Sequence, residues 1–240
     1  MVAGLSGTGK TASLRNLREQ EKWIYCCTEA GKEAPFKNNF KTANIVDPAQ
    51  ILGILDQMIS GELKDAKGII IDSLDFLMQQ YEDTYISGSR DSRRAWADYG
   101  AFFRTLMQDK IAVLGKPAIF IAHNQETFDD NTGNFKTSVV IKGSTKNVSV
   151  EAYFNTILYS KKVKIAEVKK YQNDLLTIRP RDERRGVKFV FQTDVLGSSI
   201  EDKIRSPIDL WSDEEIYIDN DCQAVIDRLT TYFGVTENGN

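Results

Sequence analysis

Gly4-Leu5-Ser6-Gly7-Thr8-Gly9-Lys10-Thr11 decides the reading of this chain. It matches G-x-x-x-x-G-K-[ST] at every position. Each residue type has a physical reason. Gly4, Gly7 and Gly9 let successive backbone N–H groups turn inward around an anion with no Cβ in the way, and Ser6 and Thr8 complete the ring. A helix starting near Lys10 aims its positive end at the same anion. Lys10 then reaches the β- and γ-phosphates of a nucleotide, and the Thr11 hydroxyl ligates Mg²⁺. The stretch predicts a site for ATP and Mg²⁺. A chance glycine-rich turn is the competing explanation. The helical pattern from Thr11 to Glu21, with Leu14 and Leu17 on its inner face, weighs against it.

Working outward, apolar runs alternate with helical patterns. Trp23 to Cys27 predicts a buried strand, Pro48 to Ile59 a helix opened by Asp47-Pro48, and Gly68 to Ile71 a second strand. Helices are expected over Leu74 to Tyr85 and Trp96 to Leu114, with Gly88 to Arg94 a basic loop between them and Ala118 to Ala122 a third strand. This order predicts an α/β protein with a mostly parallel sheet and helices on both faces. The second half is β-rich. It carries a hairpin over Thr127 to Lys142 turning at Asp130 to Gly133, strands over Asn155 to Val163 and Gly186 to Thr193, and a helix over Ala224 to Phe233. Residues 1–235 read as one domain and 236–240 as a disordered tail. Only three residues precede Gly4, so either the first strand is very short or the chain starts late, and no signal peptide fits.

Composition narrows the partners. A net charge of −3 excludes a chain-wide electrostatic nucleic-acid binder and leaves only local basic patches. Three cysteines, with Cys26 and Cys27 adjacent, make no disulfide framework and fit a reducing cytoplasm. No apolar run approaches the roughly 18 residues that span a membrane, so no membrane partner is expected.

The strand ends carry the remaining chemistry, because open α/β sheets place ligands there. Ile69-Ile70-Ile71 ends in Asp72-Ser73, and such an Asp holds a Mg²⁺-bound water. Trp23 to Cys27 ends in Thr28-Glu29, and Glu29 is placed to orient or deprotonate an attacking water, with Glu33 and Asp75 as alternates. The third strand ends in His123-Asn124-Gln125. One of these polar side chains senses the γ-phosphate, His123 first among them. Solvated loop acid and structural histidine are the plain alternatives for Glu29 and His123.

This order of motifs resembles the RecA-type ATPase core. More closely, it is similar to the short phage RecA-like ATPases that act in single-strand annealing or recombination. The closer match rests on Trp96-Ala97-Asp98-Tyr99, Ala122-His123, Lys142-Gly143-Ser144, Phe191-Gln192-Thr193 and Asp202 to Pro207, and it covers roughly residues 1–211. The resemblance implies a RecA-like P-loop NTPase core in which Glu29 is the catalytic carboxylate and Asp72 the metal-shell carboxylate. It also implies a homo-oligomer or filament in which Lys203 and Arg205 act in a neighbour's active site, although Glu201 stands where the first lysine of that pattern belongs. DNA loops are implied at Gly88 to Arg94, with Arg90, Arg93 and Arg94, and at Glu126 to Lys146, with Lys136, Lys142 and Lys146. Solvated surface charge is the plain alternative for both. The implied activity is a DNA-stimulated ATPase that assembles on single-stranded DNA and promotes annealing or strand exchange, in the host cytoplasm if phage-encoded. The alternative is an ATP-gated adaptor or loader, or a small-molecule kinase, with no DNA loops.

Overall fold

The computed structural model describes residues 1–29, 31–130, 134–139, 150–196, 200–201 and 203–234. Its strands are β1 (Val2–Gly4), β2 (Trp23–Cys27), β3 (Lys41–Asn44), β4 (Gly68–Asp72), β5 (Ala118–Asp129), β6 (Asn134–Val139), β7 (Leu158–Lys164), β8 (Val187–Gln192), β9 (Ile200–Glu201) and β10 (Tyr217–Asp219). Its α-helices are α1 (Ala49–Ser60), α2 (Leu74–Tyr81), α3 (Ser92–Arg104), α4 (Ile165–Val168), α5 (Pro180–Arg185) and α6 (Cys222–Phe233). Most strand pairs are parallel and helices flank the sheet, which is the mixed α/β fold of a P-loop NTPase core. The chain forms two compact units, one of Met1–Arg18, Asn124–Ser138 and the chain from Phe154 onward, the other of Glu19–His123 and Val139–Tyr153.

In the unit centred on Glu19–His123, β2 lies between β3 and β4, and β4 lies between β2 and β5, all parallel. Every residue of β2 and β4 is buried. That explains their unbroken apolar runs, since a strand covered on both faces has no solvent side to mark with polar residues. Edge strand β3, Lys41-Thr-Ala-Asn44, is largely exposed and carries no such signal. Helix α1 buries Ile51, Leu55 and Met58, with Asp47 accepting from the Ala49 N–H at 2.9 Å and Gly61 ending it in the left-handed region. Asp91 accepts from the Arg94 N–H and starts α3 at Ser92. The basic stretch through Arg94 is therefore half loop and half helix rather than all loop.

In the other unit, β1 pairs with β7 in parallel, and β7, β8 and β10 follow antiparallel. Val163, Val168, Leu176, Val190 and Tyr217 form its apolar cluster. The expected helix from Thr11 to Glu21 is absent. A 3-10 turn spans Thr11–Asn16, Leu17 is extended, and a second 3-10 turn covers Gln20–Lys22. Leu14 and Leu17 are both buried at a spacing of three, which suits the tighter coil. Strand β5 also corrects an expectation. It runs on to Asp129, so His123 sits within a strand, just past the last β4–β5 partner pair, Asp72 and Ile121.

Gly68 is a tight point of the parallel sheet. A Cβ there would lie 2.5 Å from both the Pro117 carbonyl oxygen and the Trp23 ring. Gly68→Ala is expected to lose about 1–3 kcal/mol or more of stability, read as a lower urea midpoint.

Candidate functional site

The phosphate loop leaves β1 at Gly4 and is walled on one side by β7. A Cβ on Gly4 would meet the Ser160 carbonyl oxygen at 2.5 Å, so only glycine lets the two strands pass. Gly7 and Gly9 have φ of 75° and 94°, the left-handed region that side chains disfavour. Leu5, Ser6 and Gly7 face solvent, whereas Thr8 and Lys10 are buried. Thr8 Oγ1 donates to the Leu5 carbonyl at 2.8 Å and closes the turn. Lys10 Nζ donates to the Gly4 and Leu5 carbonyls, each at 2.9 Å. The ammonium is thus held inside the curl of its own loop, on main-chain oxygens. Thr11 follows, half-buried, at the first position of the 3-10 turn.

In the other unit, Asp72 ends β4 with only 3% of its surface exposed. The Tyr25 hydroxyl donates to its Oδ2 at 2.8 Å. Burial, followed by the neighbouring carboxylate, raises the Tyr25 phenol above its ordinary value and keeps it a donor. Thr28 braces the next residue twice: its hydroxyl accepts from the Ser73 N–H at 2.7 Å and contacts the Ser73 carbonyl at 2.8 Å. The Thr28 N–H donates to the Asp72 carbonyl at 2.9 Å.

The sequence profile of the AAA domain matches residues 1–186. The chain belongs to the AAA domain family. No curated protein matches it in sequence. Membership makes this a P-loop, nucleotide-binding domain of ATPase type. Its loop fits that ligand: a ring of glycines with a buried ammonium is an anion cradle, and Mg²⁺ needs few protein oxygens beyond the phosphates it bridges. Among the described residues, no helix is long and apolar enough to cross a membrane.

The AAA domain places the other candidates as follows. Glu29 follows β2 with 11% of its side chain exposed, and Lys32 Nζ lies 2.5 Å from its Oε2. That bond raises the Lys32 ammonium above its ordinary value. Beside the pair opens a cavity of about 600 Å³ lined by Tyr25, Lys32, Phe36, Lys37 and Asn38. Of the alternates to Glu29, Glu33 is exposed, and Asp75 is engaged by His123. Asp75 Oδ1 accepts from the His123 backbone N–H and Oδ2 lies 2.9 Å from Nδ1. Phe76 packs edge-on against the imidazole. Asn124 is half-buried and Gln125 exposed.

Arg90, Arg93 and Arg94 are exposed, the last two on the first turn of α3. Lys136 lies on β6, its backbone in register with Glu201 of β9. Lys142 and Lys146 lie outside the described residues, as does the 236–240 tail. Lys203 is exposed. Arg205 bridges Ile157, and its Nη1 donates to the Phe154 carbonyl at 3.3 Å. Within the basic stretch from Lys161 to Lys188, Lys188 is buried and paired with Asp219 at 2.8 Å, and Lys169 pairs with Glu183 at 2.9 Å. Those two lysines serve structure.

Sequence reasoning passed over Tyr25 and Thr28. Tyr25 reads as one more apolar strand residue and Thr28 as a loop residue. Their partners lie 47 and 45 residues away, and no local signal announces them.

Burial acts to raise the Asp75 carboxyl, but the two bonds from His123 outweigh it and hold the group below its ordinary value of 3.8. A depressed native value stabilises the fold above the unfolded value, and the benefit is lost as pH falls through the native one. Asp75→Asn is expected to cost about 1.5–3 kcal/mol at neutral pH. The gap from the parent should close progressively below pH 3.8, measured by urea unfolding across the acid range.

Proposed function

We propose that this AAA domain hydrolyses ATP within an assembly formed on single-stranded DNA, in the manner of the RecA-like recombination proteins it resembles. The observation that carries the nucleotide part is Lys10, whose buried ammonium is already fixed inside a complete phosphate loop. In this reading Gly4, Ser6, Gly7, Thr8 and Gly9 offer N–H groups to the β-phosphate. Lys10 exchanges its carbonyl partners for β- and γ-phosphate oxygens. Thr11 and Asp72 would hold Mg²⁺, which would offset negative charge on the phosphates. Glu29 orients the attacking water once Lys32 yields its carboxylate, and His123, oriented by Asp75, responds to the γ-phosphate.

The DNA part is supported by the start of α3. A cavity of about 340 Å³ is lined by Tyr81, Tyr85, Ser89, Asp91, Arg94 and Asp98. The exposed Tyr85 ring, with Arg90 and Arg93 exposed nearby in sequence, suits single strands, whose bases stack and whose phosphates need cations. Asp91 and Asp98 temper the charge there, so Arg90 and Arg93 supply most of the attraction. The test is the ATPase rate with and without a single-stranded oligonucleotide. Stimulation is expected in the parent, and Lys10→Ala should lower turnover on the order of 10²-fold or more. A rate indifferent to DNA overturns the DNA part alone.

Assembly is supported by Arg205. Its partner Ile157 lies immediately before β7, whereas the phosphate loop leaves at Gly4, level with Ser160. Three strand residues put the two roughly 10 Å apart along the strand. The guanidinium also donates to the Phe154 carbonyl. Arg205 is therefore assigned to the nucleotide of a neighbouring copy, with Lys203 beside it. A cation brought to a γ-phosphate in trans is worth about 10³-fold or more. Arg205→Ala and Lys10→Ala should each be inactive, and mixing them should restore part of the activity. Normal turnover by Arg205→Ala alone ends the trans assignment.

A further inference from the structure

We infer that Ser160 and Asn220 are positioning residues of the phosphate loop, and that the segment from Asn220 to Asp227 is a working part of the nucleotide site. The inference rests on the reading that this loop binds nucleotide phosphates. It goes beyond that reading because residues 220–227 lie outside the part of the chain that matches the AAA domain, residues 1–186.

The argument starts from one peptide. The Ser160 hydroxyl donates to the Thr8 carbonyl at 2.8 Å. A trans peptide is planar, so its carbonyl and the following N–H point in opposite directions. Pinning the Thr8 carbonyl toward β7 therefore turns the Gly9 N–H away from β7. That is the side left for an anion, because β7 closes the other. The outer side of Gly9 is walled as well. A Cβ there would lie 3.4 Å from the Phe189 ring and 3.6 Å from Asn220 Oδ1.

Ser160 is itself held. Asn220 Nδ2 donates to Ser160 Oγ at 2.8 Å, so that hydroxyl is both donor and acceptor in a single chain from Asn220 to Thr8. All three residues are at least nine-tenths buried, with exposures of 4%, 1% and 9% in that order. At this depth of burial, loss of either outer link leaves the Thr8–Gly9 peptide free to turn.

The same segment grips the chain that follows the loop. Arg15 Nη1 donates to the Asn220 carbonyl at 3.0 Å, Asn16 Nδ2 to Asp221 at 2.5 Å, and the Arg18 N–H to Gln223 Oε1 at 2.9 Å. Arg18 also pairs with Asp227 at 2.5 Å. Cys222 Sγ lies 3.1 Å from Ser13 Oγ, which donates in turn to the Lys10 carbonyl at 2.5 Å. The usual α-helix after a phosphate loop is here one short 3-10 turn. The cap and first turns of α6 take over its task of holding the loop in shape.

The experiment compares the parent, Ser160→Ala, Asn220→Ala and the double variant by calorimetric titration with MgATP and with inorganic tripolyphosphate. Each is also melted without ligand. Each single variant is expected to bind both ligands about tenfold more weakly, with the ligand-free protein still folded at the assay temperature. The double variant should be little weaker than either single one, because the residues act in series. If the parent binds neither ligand, the nucleotide reading itself fails. If the parent binds and the variants bind equally well, or if the two losses simply add, the positioning assignment is overturned. It is also overturned if affinity falls only where the ligand-free protein is partly unfolded. Should Ser160→Ala not fold, Asn220→Ala, in the turn before α6, decides alone.

Discussion

The buried ammonium of Lys10 is the constraint on which its unit depends. A charge with 5% of its residue exposed must be paired or it will neutralise. Two main-chain carbonyls, of Gly4 and Leu5, accept from it here, and carbonyls converge only if the backbone curls tightly. Tight curling requires left-handed φ at Gly7 and Gly9 and passage of Gly4 against β7 without a Cβ. The glycine spacing is thus a consequence of where the lysine must sit. The carbonyls hold the cation only with neutral dipoles. A phosphate offers full charge and stronger hydrogen bonds, so the loop is arranged to prefer an anion to its own backbone.

The unit that carries Asp72 solves a related problem, a buried carboxyl group that needs a hydrogen-bond partner. The Tyr25 hydroxyl supplies one by donating to its Oδ2. Thr28 then fixes the direction in which the chain leaves β4, through bonds to both main-chain polar groups of Ser73. Tyr25 lies on β2 and Thr28 directly after it, so one strand positions the carboxylate of its neighbour. Glu29 is next in sequence. The element that braces Asp72 therefore also delivers the second acid, and a displacement of β2 would move both.

What was legible in the sequence follows from the range of the interactions. The phosphate loop, strands β2 and β4 and helix α1 announce themselves because their patterns are local: a spacing, an apolar run, a period of 3.6. Edge strand β3 was not legible, since three polar residues and an alanine pair through backbone with no apolar run to mark them. The helix after the loop was misread because Leu14 and Leu17 fit both a 3.6 and a 3.0 period, and the long-range grip of residues 220–227 selects the tighter coil. His123 was placed at a strand end because the apolar run stops at Ala122. The strand itself continues, since backbone pairing does not require apolar side chains.

The same distinction separates the residues proposed to touch a ligand from those proposed to aim them. Lys10, Thr11, Asp72 and Glu29 are recognisable because chemistry demands their type at a given point of the fold. Ser160, Asn220, Thr28 and Asp75 are demanded only by geometry: a hydroxyl, amide or carboxylate at hydrogen-bond distance from a group far away in sequence. Such residues have no spacing rule, because the separation of 152 residues between Thr8 and Ser160 is set by topology and not by local structure. They become visible only when the chain is folded. Once visible, Ser160 and Asn220 offer a reason why the phosphate loop can be followed by so little helix and still keep its shape.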